Sequence, residues 1–257
     1  MYGRAWYIVS FVYNTQMLSS RSKSLRIQAI QLMRSFGATH FGGTFSSAEI
    51  LINLFDKILN EEDFFILSKG HSCWIYYLLL REKGFNPRIE GHPHYDPANG
   101  IFCTTGSMGH GLPTGIGMAL GKKISNDNGR IFVLMGDGEC QEGTTWESLL
   151  LAAKLKLDNL VVIVDSNNIQ ATGFVSDILP VKEVLISAAT AANWDVKNID
   201  GHSDDLLGIK FDTSGMPTLV IASTIKGKGV SFMENRPEWH SRWLDDDNRL
   251  MAMNELS

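Results

Sequence analysis

The sequence predicts an α/β fold in which a parallel sheet carries helices on both faces. Three observations predict it. Short, wholly apolar runs at 64–67, 131–135 and 160–164 read as buried strands. The segment 144–157 between two of these runs has apolar residues at helical spacing (Leu149, Ala152, Ala153, Leu155), which suits the crossover helix of a parallel βαβ unit. Two of the strands end in oxygen-rich turns, Gly136-Asp137-Gly138 and Asp165-Ser-Asn-Asn168, at the carboxyl edge where ligands of such sheets sit.

The elements follow in chain order. Residues 5–13 are apolar but few, Arg4 is the only positive charge beside them and no small-residue cleavage site follows, which argues against a signal peptide. The run is also too short to span a membrane. Residues 22–35 form an amphipathic helix through Leu25, Ile27, Ala29, Ile30, Leu32 and Met33, and Ser46-x-x-Glu49 reads as a capping box that opens a helix over 48–59. The strand at 64–67 presents Ser68-Lys69-Gly70-His71 at its carboxyl end, and a helix runs on through Tyr76 to Arg81. Residues 106–121 begin a helix lined with small residues, suited either to close packing on a neighbour or to a backbone approach to phosphate. The segment does not fit Gly-x-Gly-x-x-Gly, because Gly109-His-Gly111 is followed by Leu-Pro-Thr, so a nicotinamide cofactor is not favoured.

The turn at 136–138 carries the most chemistry. Its glycines permit positive φ and a close ligand approach, and Asp137 offers the hard carboxylate oxygen that Mg²⁺ prefers. Twenty-eight residues separate Gly138 from Asn167; Asn167 and a main-chain carbonyl just beyond it supply further oxygens and leave octahedral positions for phosphate and water. The seven histidines lie in loops or at element ends beside glycine or proline, and none forms the His-x-x-x-His pair of a helical zinc site. Residue type alone leaves their roles unassigned.

Composition narrows the class. A chain of 257 residues with 44% apolar and 20% charged residues can bury one sizeable core. A formal charge of −5 and the absence of a basic stripe argue against a nucleic-acid surface. Cys73, Cys103 and Cys140 are odd in number and lack Cys-x-x-Cys spacing, so neither a disulfide framework nor a zinc site is indicated, and a reducing cytoplasm is expected.

The motifs together resemble a known family. Gly136-Asp137-Gly138 with Asn167-Asn168 is similar to the thiamine diphosphate fingerprint. Alongside it stand Thr39-His40-Phe-Gly-Gly43, Leu67-Ser-Lys69-Gly-His71, Gly91-His92-Pro93, Thr105-Gly106-Ser-Met108-Gly-His110-Gly111, and Thr224-Ile-Lys226-Gly-Lys-Gly229 followed by Trp239-His240. From about Leu25 to Trp243 the chain resembles the N-terminal part of transketolase. The resemblance implies the thiamine diphosphate-binding fold of the diphosphate (PP) type over residues 17–257, with 1–16 a tail or a start-site artefact and Met17 a candidate start. It implies Asp137, Asn167 and the carbonyl of Ile169 as Mg²⁺ ligands, with Gly136 and Gly138 in the turn against the diphosphate. Gly106, Ser107, Met108 and His110 would stand against the cofactor, while Lys69 and Lys226 would add positive charge near the diphosphate or substrate. His40, His71, His92 and His240 would line the channel above the thiazolium, and Glu142 would join a carboxylate network between active sites; His94 and His202 keep a structural reading.

In transketolase a second α/β domain binds the cofactor's pyrimidine and supplies the glutamate that tautomerises it. Residues 244–257 hold no second set of βαβ units. The resemblance therefore implies one subunit of a split transketolase, self-associating in an α₂β₂ assembly with a separate pyrimidine-binding, C-terminal transketolase subunit, and working on sugar phosphates. The stretch between Leu59 and Phe64 is short, and 201–217 is trimmed to Asp204-Asp-Leu-Leu-Gly-Ile-Lys-Phe before a Ser-Gly turn, which points toward a specialised sugar pathway. Two other readings share the fingerprint: the α subunit of a 2-oxoacid dehydrogenase, and a non-catalytic cofactor-binding assembly subunit. Ser-Lys-Gly-His, Gly-His-Pro and Lys-Gly-Lys-Gly favour transketolase over the first; intact Asp137, Asn167 and histidines speak against the second.

Overall fold

The computed structural model describes residues 18–203 and 215–257. The tail at 1–16, the candidate start Met17 and the trimmed segment 204–211 lie outside the described residues.

Helix α1 (Ser20–Ser35) is capped by Ser19, whose hydroxyl accepts the Ser22 N–H. Next come α2 (Phe41–Ser46) and α3 (Ala48–Asn53), and α3 widens into a π-turn at Leu54–Ile58. The single helix expected over 48–59 is thus divided, and its capping box does not form. Ser46 closes α2 instead, donating to the Gly43 carbonyl and to Asp165. The Glu49 carboxylate turns away to Arg26, Ser22 and His202. A buried charge takes charged and hydroxyl partners before a helix-end amide that other groups can satisfy.

Strand β1 (Phe64–Leu67) leads through a short 3₁₀ turn at Gly70–Ser72 into α4 (Trp74–Glu82). Helix α5 (Gly111–Ser125) and strand β2 (Ile131–Gly136) follow, and then α6 (Gly143–Lys154), β3 (Leu160–Ser166) and the small hairpin β4 (Ile169–Gln170) with β5 (Gly173–Phe174). The chain continues through α7 (Val175–Ile178), α8 (Lys182–Ala191), β6 (Asp195–Asp200), β7 (Thr218–Ser223) and α9 (Asp246–Leu256). The main sheet runs β1-β2-β3-β7-β6 and every pairing in it is parallel.

Alternation along the strands divides the core in two. Phe65, Leu67, Phe132, Leu134, Val161, Ile163, Val220 and Ala222 face one layer, with α1, α3, α4 and α9. Their neighbours Ile66, Val133, Met135, Val162, Val164, Leu219 and Ile221 face α5, α6 and α8. This is why the strands read as unbroken apolar runs, each face being covered. Of the two readings of the small-residue helix, α5 shows close packing: a Cβ at Gly115 would stand 2.6 Å from the Val133 methyl. Register then sets the site. Gly136 pairs with Asp165 and Ser166 with Ser223, so the turns after β2, β3 and β7 leave the sheet at one level.

Candidate active site

The floor of the site is made where those turns meet. Asp137 caps the 3₁₀ turn Gly138–Gln141, one carboxylate oxygen accepting the Gly138 N–H at 2.8 Å and the other the Asn168 N–H at 2.5 Å. Asn168 holds φ at 63°, a left-handed conformation that asparagine tolerates better than most residues, and this reverses the chain after β3. Asn167 Oδ1 accepts the Ile169 N–H at 3.0 Å, and the Ile169 carbonyl accepts from the Lys226 ammonium at 2.7 Å. Gly138 is required for space, since a Cβ there would come within 2.9 Å of the Gln170 Cβ.

Under this floor lies Asp165, fully buried. It accepts from Ser46 Oγ at 2.6 Å, from Asn167 Nδ2 at 3.2 Å, from Thr224 Oγ1 and from the Lys69 ammonium. Lys69 reaches the cavity wall, but the charge expected of it is met here by Asp165 and by the Gly43 carbonyl. Lys226 is the cation bonded to the floor, through the Ile169 carbonyl; burial, then Lys69, pushes its ammonium down to about 8. Burial, reinforced by Asp165, pushes the Asp137 carboxyl up to about 6.

Three imidazoles form one wall. His40 stands at the start of α2, His71 in the turn after β1 and His240 in the 3₁₀ turn Pro237–His240. Their ring centroids lie 5.3 Å (His40 to His71), 5.6 Å (His40 to His240) and 5.4 Å (His71 to His240) apart. Burial followed by the nearby Lys69 and Lys226 charges holds His71 well below the ordinary imidazole value. Burial, then Lys226, pushes His240 down to about 3. His40 is lowered by burial and by His92. The Lys226 ammonium can only donate, so at 2.9 Å from His240 Nδ1 it places that ring's proton on Nε2.

The cavity enclosed by floor and wall has a volume of about 290 Å³. It collects His40, Lys69, His71, His92, Gly106 and Met108 from the expected set, and also Gly136, Asp137, Gly138, Glu142, Asn167, Ile169, Lys226 and His240. Ser107 and His110 do not line it; the His110 ring stays with Ser107 Oγ at 3.2 Å and the Met108 carbonyl at 3.1 Å, and shapes the loop beside the cavity. Gln141, Gln170 and Ala171 line it without having been foreseen. So does Glu139, a buried carboxylate that accepts the Gly109 N–H at 2.9 Å, the Gly136 N–H at 3.1 Å and the Ser68 hydroxyl. It ties the 106–109 loop to the Gly-Asp-Gly turn. A glutamate in a first helical turn ordinarily reads as solvated, which hides this role in the sequence. His202 is structural as expected: its Nδ1 meets Glu49 at 2.8 Å and its Nε2 accepts the Ile225 N–H at 2.7 Å.

The oxygens fit a hard cation. Among the described residues no group of three or more His, Cys, Asp or Glu could hold a metal. The floor at 137–169 offers one carboxylate, one carboxamide oxygen and one carbonyl, and that carbonyl already accepts from a cation. Such a set suits Mg²⁺ that keeps several positions for phosphate and water.

Residues 18–256 match the family described as "Transketolase, thiamine diphosphate binding domain". The chain is 37% identical to an apulose-4-phosphate transketolase subunit of Actinobacillus succinogenes, over 93% of this chain and 95% of that one. It is 30% identical to "6-deoxy-6-sulfo-D-fructose transketolase subunit SqwG" of a Clostridium species, over 93% and 96%. To human "Transketolase" it is 33% identical over 94% of this chain but 42% of that one. The crystal structure of Campylobacter jejuni transketolase superposes with a TM-score of 0.81 at 26% identity, over 95% of this chain and 43% of that one. The chain thus matches subunit-sized relatives over nearly their whole length and full-length transketolases over about two fifths of theirs. It belongs to the transketolase family, as its thiamine diphosphate binding domain.

Proposed function

We propose that this chain is the diphosphate-binding subunit of a split transketolase, which moves a two-carbon ketol unit from a ketose to an aldose acceptor. The observation that carries the reading is the cavity into which the oxygens of Asp137, Asn167 and Ile169 and three depressed imidazoles converge. Bound thiamine diphosphate would supply the carbanion and the electron sink for breaking and remaking the carbon–carbon bond. The chain's own part is positioning and proton handling. Asp137, Asn167 and the Ile169 carbonyl would hold Mg²⁺ against the diphosphate, with Gly138 leaving room for it and Lys226 adding charge. Met108 would offer apolar surface at the cavity mouth. His40, His71 and His240 stay uncharged near neutral pH, so each can donate one hydrogen bond to a sugar oxygen, and His40 and His71 each keep an acceptor nitrogen, while that of His240 is taken by Lys226. His240 donates through Nε2.

The family places the chain with transketolases rather than with the α subunits of 2-oxoacid dehydrogenases. A separate chain would complete the site, in keeping with near-full-length relatives that are themselves named as transketolase subunits. The substrates would be unusual sugars or their phosphates, as two of these relatives are named for apulose 4-phosphate and 6-deoxy-6-sulfo-fructose. Among the described residues no helix is long and apolar enough to cross a membrane, and the three free cysteines suit the cytoplasm we assign.

Calorimetry tests the site directly. Thiamine diphosphate should bind only with Mg²⁺, and that binding should disappear in Asp137→Ala; undiminished affinity in the variant would refute the metal site. Intact binding with no ketol transfer in any assembly would favour the non-catalytic reading.

A further inference from the structure

The buried carboxylate directly beneath the cavity floor is Asp165, at the end of β3. Its side chain has no solvent exposure, and both oxygens are filled: Thr224 Oγ1 on one, Ser46 Oγ, the Lys69 ammonium and Asn167 Nδ2 on the other. These partners come from α2 and from the turns after β1, β3 and β7. Asn167 is the informative one. A carboxamide can sit in either of two orientations, and an ionised carboxylate can only accept. Asp165 therefore draws the NH₂ toward itself, with Ser46 Oγ at 3.2 Å supporting it, and Oδ1 is left on the Ile169 side. Oδ1 uses one lone pair on the Ile169 N–H and retains a second.

We infer that Asp165 is a positioning residue for the metal: it fixes the Asn167 carboxamide so that an oxygen, and not an NH₂, faces the cation, while it holds Lys69 back in the wall. The inference rests on the Mg²⁺ reading above. In Asp165→Asn the side chain facing Asn167 can itself donate, so only the Ile169 N–H is left to hold the carboxamide in one orientation, and Lys69 loses its counterion. Partners of this kind behind a ligand typically set metal affinity by about 10- to 100-fold.

The test is a Mg²⁺ titration of thiamine diphosphate binding by calorimetry, on the protein purified in the assembly it forms in its own cell. Asp165→Asn should raise the half-saturating Mg²⁺ concentration at least tenfold, while cofactor affinity at saturating Mg²⁺ stays within a few-fold of wild type. A loss of packing alone would lower cofactor affinity at every Mg²⁺ concentration. Because a buried ion pair is broken, Asp165→Asn could fail to fold; Ser46→Ala, which removes the shared hydroxyl but no charge, should shift the Mg²⁺ midpoint in the same direction by several-fold. Wild-type midpoints in Ser46→Ala and in any folded Asp165→Asn would overturn the positioning role. A wild-type protein that binds the cofactor without Mg²⁺, or not at all, would instead overturn the function proposed for the site.

Discussion

At the scale of single residues the histidine wall is the sharpest feature. His40, His71 and His240 are each pushed below the ordinary imidazole value by burial, and His71 and His240 are pushed further by the Lys69 and Lys226 charges. Replacing His240 by Gln keeps a donor but removes the ring, so turnover of the assembled enzyme should fall by about 10²–10⁴, while thiamine diphosphate affinity moves little. The reverse pattern, affinity lost and turnover kept, would make His240 structural. The same shift affects stability. An unfolded chain protonates its imidazoles near pH 6.5 while folded His240 resists until about 3, so the unfolded state binds more protons between those values and stability falls as pH drops through that window. Denaturant unfolding at a series of pH values should show this slope, and His240→Gln should make it shallower.

At the scale of elements, what the sequence reveals depends on how local the cause is. The apolar runs at 64–67, 131–135 and 160–164 are legible because both faces of these strands are covered and their residues there are apolar. Strand β6 gives no such signal: it is an edge strand whose residues Asp195, Lys197, Asn198 and Asp200 are only partly buried or exposed. Ser46-x-x-Glu49 misleads because the pattern of a helix cap is the same whether or not a buried cation waits nearby. Here Arg26, 0% exposed, comes from α1 and takes the Glu49 carboxylate at 2.7 Å. Burial alone would raise the Glu49 carboxyl, but Arg26 and His202 outweigh it and hold it well below the usual range. This stabilisation is present above the unfolded value near 4.5 and lost as pH falls below it. Glu49→Gln leaves a guanidinium buried and unpaired, which should cost about 3–5 kcal/mol in chemical unfolding and flatten the acid limb below pH ~4.5. A second element-scale case is α5, where Gly115→Val would drive methyl groups into Val133. It should destabilise by about 1–3 kcal/mol, seen as a lower thermal midpoint by circular dichroism, although the substitution improves intrinsic helix propensity.

At the scale of the molecule, much of the expected site was legible because its residues sit at strand ends that a parallel sheet brings to one edge. The supports were not, because Glu139 and Asp165 act through burial and long-range partners that no local pattern reports. The surface beside the cavity raises the remaining question of what completes the site. Glu142 opens α6 exposed at the cavity rim, and the same helix carries Leu150 and Leu151, 65% and 50% exposed. Ile178 and Leu179 near α7 are also about half exposed, and the Leu179 carbonyl accepts from Gln141 of the cavity at 3.1 Å. Apolar side chains left open on the helix that begins at Glu142 and beside Gln141 suit a covering subunit. Leu150→Lys combined with Leu151→Lys should therefore leave the circular dichroism of the isolated chain unchanged yet weaken, at least tenfold, its association with the partner subunit proposed above, measured by light scattering across a dilution series. Ketol transfer should be absent from the isolated wild-type chain, appear on mixing with that subunit, and fall with association in the double variant. Full transfer by the isolated chain would remove the need for a partner.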